Sequence, residues 1–214
     1  MGAQHPGPGT DSASAPDVDA PGHDTPVRNS KALHRDALAC LESWAPSAGR
    51  QTRLRDRFTE HLRRHPDGTE RACVPDHLTA GVLVLSADLD HVLLNLHRKA
   101  RRWFHFGGHL EPGDLTLAGG ALREAREESG LHELQLDPVP VHVDEHTVSF
   151  CGGNASVQHL DVRFTALAPG AAQHVVSEES LDVRWWPVST LPEDLEDEMH
   201  ELVAASRARW AARG

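Results

Sequence analysis

Three carboxylates crowd the short segment LREAREESGL: Glu124, Glu127 and Glu128. At about 100° per residue they share one helical stripe roughly 100° wide, beside an apolar stripe of Ala118, Ala121, Leu122 and Ala125. Like charges at these spacings repel by a few tenths of a kcal/mol when exposed, and by more when partly buried. A divalent cation removes the conflict. Oxygen ligands in a partly hydrated octahedron suit Mg2+ or Mn2+, and such an ion also bridges to substrate phosphates. Just upstream, Gly107 and Gly108 form a side-chain-free turn through which a backbone carbonyl can approach the same ion. Arg123 lies one turn from Glu127 and can hold that carboxylate in place. The competing reading is a solvated acidic helix in which Arg123 and Arg126 are ordinary ion-pair partners.

Other side chains fit a phosphate-bearing ligand. Arg98 and Lys99, with Arg101 and Arg102, put positive charge next to the glycine turn, either for phosphates or as a solvated loop. His109 directly follows the double glycine and is a candidate substrate contact. Arg163 sits in the middle of the run HLDVRF, with Asp161 two positions earlier on the same strand face as its partner. Trp103, Trp185 and Trp186 read as core. The sixteen histidines show no HExxH motif and do not single out a zinc enzyme, although His97, His105 and His109 fall near the double glycine. Cys40, Cys73 and Cys151 are far apart and form no CxxC pair, so packed thiols fit them better than a disulfide framework or a cysteine zinc site.

The elements that must position these groups can be read from periodicity. Ser30–Trp44 and Arg50–His65 carry apolar residues at helical spacing, with Ser30 as the N-cap of the first and Pro66-Asp67-Gly68 ending the second. This pair is either a docking hairpin or a homodimer contact. From Leu78 the period shortens, and LTAGVLVLS and HVLLNLH flank the turn Asp88-Leu89-Asp90 as a hairpin. Phe104–Phe106 is a short strand, Leu115–Ser129 a helix, and Val139–Phe150, Val157–Leu167 and Val183–Pro187 strands. Cys151-Gly152-Gly153-Asn154 is a tight connection, and Pro192–Arg213 closes the chain as a helix. Gly119 and Gly120, each costing about 1 kcal/mol against alanine inside a helix, either permit close packing or lie in its looser first turn. This order points to an α+β, α/β/α sandwich with a mixed sheet. Residues 1–29 are too poor in large apolar side chains to order themselves and read as a disordered tail, 30–66 as the helical pair, and 77–214 as the main domain.

Composition excludes several classes. A net charge of −11 opposes nonspecific binding to duplex nucleic acid, whose affinity rests on Lys and Arg neutralising phosphates. It leaves room for a small phosphorylated substrate held through a cation. No apolar run approaches the roughly 20 residues that span a bilayer. The N-terminus lacks a basic start followed by an apolar run, so no signal peptide is read there, and the expected location is cytoplasmic.

The order of residues carries more than their types. The pattern GG-x-x-E-x-G-D…R-E-x-x-E-E-x-G-L resembles the Nudix box: a glycine, five residues, a glutamate, seven residues, then Arg-Glu-aliphatic-x-Glu-Glu-x-Gly-aliphatic. Gly108, Arg123, Glu124, Ala125, Glu127, Glu128, Gly130 and Leu131 match it. With the flanking hairpin and the run Glu178–Pro187, the resemblance covers about residues 77–205. Two departures stand out: Asp114 replaces the first glutamate, and eight residues rather than seven separate it from Arg123. Asp114 is read as a helix-initiating acid that supports the loop, with the extra residue absorbed before the helix.

The resemblance implies a metal-dependent pyrophosphohydrolase acting on a nucleoside di- or triphosphate or its derivative. Glu124 and Glu128 are then direct ligands of Mg2+ or Mn2+, Glu127 a ligand directly or through water, and the carbonyl of Gly107 or Gly108 completes the set. Such enzymes often take their general base from a loop outside the box, which makes Glu178 or Glu179 the candidate. Two alternatives are a non-catalytic nucleotide-binding module and an isopentenyl-diphosphate isomerase. The first is marked by loss of the box glutamates, all of which are present. The second places a reactive cysteine where this chain has Gly107.

Overall fold

Two helices lead the chain, α1 (Thr25–Ser43) and α2 (Arg50–Arg64). They belong to a computed structural model that describes residues 1–2, 25–46, 49–148, 156–169, 174–176 and 180–213. α1 begins five residues before the expected cap, so Ser30 lies inside the helix, and its hydroxyl donates to Glu70 rather than capping. α2 ends one residue before the expected His65, which is its C-cap.

The strands are β1 (Asp76–Leu85), β2 (His91–His97), β3 (Trp103–Phe104), β4 (Phe106–His109), β5 (Gln135–Val148), β6 (Val157–Leu167) and β7 (Ser180–Pro187). They form one mixed sheet in the order β3-β2-β1-β6-β5, with β4 also paired to β1 and β7 to β2. β1 and β6 run parallel in unbroken register from Asp76↔Gln158 to Leu85↔Leu167, while the remaining pairs are antiparallel. The helix α3 (Leu117–Ser129) follows β4, and α4 (Asp197–Ala211) ends the described chain. The turn expected at Cys151–Asn154 lies outside the described residues.

Side-chain alternation sorts β1 between two cores. Leu78, Ala80, Val82 and Val84 join α1, α2 and α3 in one cluster, together with Leu160, Val162, Phe164 and Ala166 of β6. Leu83 and Leu85 point the other way, to Met199, Leu202, Val203 and Trp210 of α4. The result is the expected α/β/α sandwich preceded by a helical pair. The α4 face is covered only at one end of the sheet. At the other end the same face is polar, and there the chain keeps its cleft.

Candidate active site

α3 starts two residues later than its periodicity suggests. Its N-cap is Thr116, whose hydroxyl accepts from the Gly119 N–H, and the Leu117 N–H donates to Asp36 of α1 at 2.7 Å. Asp114 is therefore not the cap. It is buried, accepts the Glu111 N–H at 2.8 Å, and takes a two-pronged contact from Arg123 at 3.0 and 3.1 Å. Between Asp114 and the Thr116 cap, Leu115 stands 57% exposed. At the far end Gly130 closes the helix in the left-handed region (φ 72°), which an L side chain adopts at a cost.

Arg123 organises the acids. Besides Asp114, its guanidinium donates to the His109 carbonyl at 3.0 Å, to Glu124 at 3.0 Å and to Glu127 at 3.1 Å. Burial works against its charge, but the Asp114 hydrogen bond and the neighbouring carboxylates outweigh that and raise its pKa further. The three box glutamates differ in exposure. Glu127 stands 60% exposed at the rim, whereas the Glu124 side chain is 16% exposed and Glu128 only 8%. Glu128 accepts the Gly107 N–H at 3.1 Å, and Glu124 lies against Gly108 so closely that a Cβ there would meet its carboxylate oxygens at 3.0 and 3.1 Å. Burial pushes the Glu124 carboxyl above its usual range despite Arg123. An under-hydrated anion against bare backbone is the environment that a divalent cation relieves, so these residues fit a Mg2+-class ion.

Beside them opens a cleft of about 570 Å3. Its floor is the uncovered face of the sheet: Thr79 of β1, Gly107 and His109 of β4, His159, Asp161 and Arg163 of β6, and His146 of β5. Arg163 is 2% exposed, its Nε donates to Asp161 at 2.8 Å, and Nη2 lies 3.4 Å from Asp144. Its Nη1 is buried with no hydrogen-bond partner among the described residues. Burial opposes charge on Asp161, yet Arg163 and the hydrogen bond from His105 hold its carboxyl well below the usual range. Glu128 lines the same cleft, joining it to the acidic stripe.

The remaining candidates are placed unevenly. Lys99 and Arg102 line the cleft, while Arg98 does not, and its guanidinium donates to the Ser180 carbonyl at 2.9 Å. Glu178 and Glu179, the general-base candidates, lie outside the described residues. Sequence reasoning passed over His77 and His159. They are far apart in sequence but face each other across the parallel β1–β6 ladder, and Thr79 pairs with His109 next to them. The one local sign is that each histidine precedes a leucine at the start of a strand, HLTAGV and HLDVRF, which means little until the two strands are known to be parallel.

A mixed sheet between helical layers carries an acid-bearing helix docked on a Gly-Gly strand. The sequence model of the NUDIX domain matches residues 75–206. The chain therefore belongs to the NUDIX domain family. Several solved structures are similar in fold. One is a NUDIX-family hydrolase from Clostridium perfringens (23% identity, 63% of this chain and 97% of that one, TM-score 0.46). Another is an Ap4A hydrolase of C. elegans in a binary complex (17% identity, 63% and 98%, TM-score 0.49). A third is a MutT protein from Methanosarcina mazei Go1 (18% identity, 64% and 96%, TM-score 0.45). No curated protein matches the chain.

Proposed function

We propose that this protein hydrolyses the pyrophosphate linkage of a nucleoside di- or triphosphate or its derivative, by attack of water on phosphorus, with Mg2+ or Mn2+ as cofactor. The observation that carries the reading is the seating of Glu124 and Glu128 on the backbone of Gly107 and Gly108, at the edge of a polar cleft. Glu124, Glu128 and, from the rim, Glu127 would hold the ion, together with the carbonyl of Gly107 or Gly108. When bound, the cation neutralises phosphate charge and polarises the phosphoryl oxygens. Arg123 fixes the carboxylates in position. The buried Nη1 of Arg163, without a hydrogen-bond partner among the described residues, offers a donor to the phosphates, as do Lys99 and Arg102, the latter also paired with Glu196. His109 lines the substrate side, and Glu178 or Glu179 is proposed as the base that orients water. Duplex nucleic acid is not an expected partner of so acidic a chain. No helix among the described residues is long and apolar enough to cross a membrane, and a cytoplasmic location is proposed with the rest.

The test is hydrolysis of a nucleotide panel with Mg2+ by the protein and its Glu124→Gln and Glu128→Gln variants. Each variant is expected to lose at least ~100-fold in kcat while keeping the circular dichroism spectrum. Glu127→Gln should lose less, because its carboxylate is exposed. Full activity in the Glu124 and Glu128 variants would sink the assignment. Tight nucleotide binding without turnover by the unaltered protein would favour the non-catalytic module instead.

A further inference from the structure

A cluster of three histidines that the box does not use lies at the cleft floor, two of them lining the cleft and one buried behind it. His77 of β1, His109 of β4 and His159 of β6 each present a ring nitrogen, and the three nitrogens lie within 4.8 Å of one another. All three come from strands of the sheet floor, so their backbones are fixed by the β1–β6 and β1–β4 ladders. We propose that these histidines form a second metal site, a nitrogen-ligated centre for a zinc-class divalent transition ion whose fourth coordination position opens to the cleft.

Three observations carry it. First, the Nε2 atoms of His77 and His109 are 3.2 Å apart. Two nitrogens bound at about 2.0–2.1 Å to a tetrahedral ion stand about 3.3 Å apart, so this edge of the coordination polyhedron already exists. Second, the Nδ1 of His77 lies 2.9 Å from the Cys73 carbonyl and donates to it. In the neutral ring that bond assigns the proton to Nδ1 and leaves the Nε2 lone pair facing the cluster. A carbonyl acceptor behind a ring nitrogen is how metal-ligating histidines are usually oriented. Third, the Nε2 of His159 is buried with no hydrogen-bond partner among the described residues. A buried polar atom without a partner is costly, and a metal ion satisfies it. The His77–His109 contact taken as a plain N–H···N bond explains two rings and leaves the third unsatisfied.

Donor chemistry separates this site from the acidic stripe. Imidazole nitrogen suits zinc and its neighbours, whereas carboxylate and carbonyl oxygen suit Mg2+ and Mn2+. Its outer side faces the same space as Arg163 and Lys99, because His109 and His159 line the cleft. Water or a substrate oxygen can therefore take the open position. This inference does not depend on the assignment of the glutamates.

The experiment uses full-length, tag-free protein, stripped with chelator and re-equilibrated with Zn2+ in excess Mg2+. Metal content is then measured by elemental mass spectrometry, and Co2+ serves as a spectroscopic probe. About one zinc per chain is expected, with the intense visible absorption of tetrahedral Co2+. His109→Gln and His159→Gln should each lower zinc affinity at least ~10-fold and abolish that absorption. Glu124→Gln and Glu128→Gln should leave both intact. His77 is fully buried, so its Gln variant counts only if its melting curve shows a folded protein; the two cleft-facing rings carry the test otherwise. Absence of stoichiometric zinc, or zinc lost in the glutamate variants and kept in the histidine variants, would overturn the proposal.

Discussion

Arg123 holds Asp114 at two points and also reaches the His109 carbonyl, Glu124 and Glu127. A lysine there keeps the charge but loses the planar fork that makes these contacts at once. Arg123→Lys is expected to weaken metal affinity and kcat by about 10–100-fold with little change in fold, checked by calorimetry of Mg2+ binding and steady-state kinetics. Asp144 supports a pH prediction. Burial raises its pKa, but the nearby His146 ring and the Arg163 and Arg50 guanidinium groups more than offset this and hold it at about 2. A carboxyl depressed in the folded state stabilises fully above its unfolded pKa and loses that contribution as pH falls through the folded value. The window is therefore from about pH 4 down to about pH 2, and the contribution at neutral pH is roughly 2 kcal/mol. Asp144→Asn should lower stability at pH 7 by that order and flatten the acid limb of a urea-denaturation series.

At the scale of elements, α3 shows what periodicity can and cannot give. Its acidic and apolar stripes were legible because both follow from 3.6 residues per turn, and Ala121 and Ala125 are indeed buried on the sheet. Its beginning was misread, because an aspartate just ahead of a helix resembles a cap, and only the Arg123 contact shows that Asp114 is otherwise engaged. The two glycines inside the helix divide the expected alternatives: Gly119 is exposed in the first turn beside the Thr116 hydroxyl, whereas Gly120 is a packing device. A Cβ on Gly120 would stand 2.6 Å from a Leu110 methyl and 2.9 Å from the Asp114 carboxylate. Gly120→Ala gains about 1 kcal/mol of helix propensity, yet it should destabilise the protein by about 1–3 kcal/mol through overpacking, read from chemical denaturation. The histidine cluster illustrates the opposite limit. Strand pairing sets it, and chain spacing carries no record of which strands lie side by side.

Across the whole molecule, the family match begins at residue 75, but the packing does not. Leu33, Ala37 and Leu41 of α1 and Leu54, Phe58 and Leu62 of α2 are buried in the cluster that includes Leu78 and Ala80 of β1. Arg50 pairs with Asp144, and the Gln51 side-chain amide donates to the Val143 carbonyl and accepts from the Val143 N–H. The sandwich was legible from the order of elements; the depth of this docking was not, since an amphipathic helix does not name the surface it covers. We propose that α1, α2 and the sheet fold as one unit. Deleting residues 1–66 should then give protein that is insoluble or melts far lower in scanning calorimetry, whereas unchanged stability and kinetics would refute the idea. The pair covers the side of the sheet away from the cleft, and none of its described residues lines that cleft.

The hydrogen bond from the Leu117 N–H to Asp36 links these scales. The helix that carries the glutamates borrows an acceptor for its first turn from a segment that no box pattern includes. Inheritance of the box alone is thus insufficient: a box grafted into another scaffold, or this chain cut back to its recognisable borders, leaves that donor unmatched. Asp36→Ala is therefore expected to loosen the first turn of α3 and, through it, the seating of Glu124 and Glu128, the proposed metal ligands.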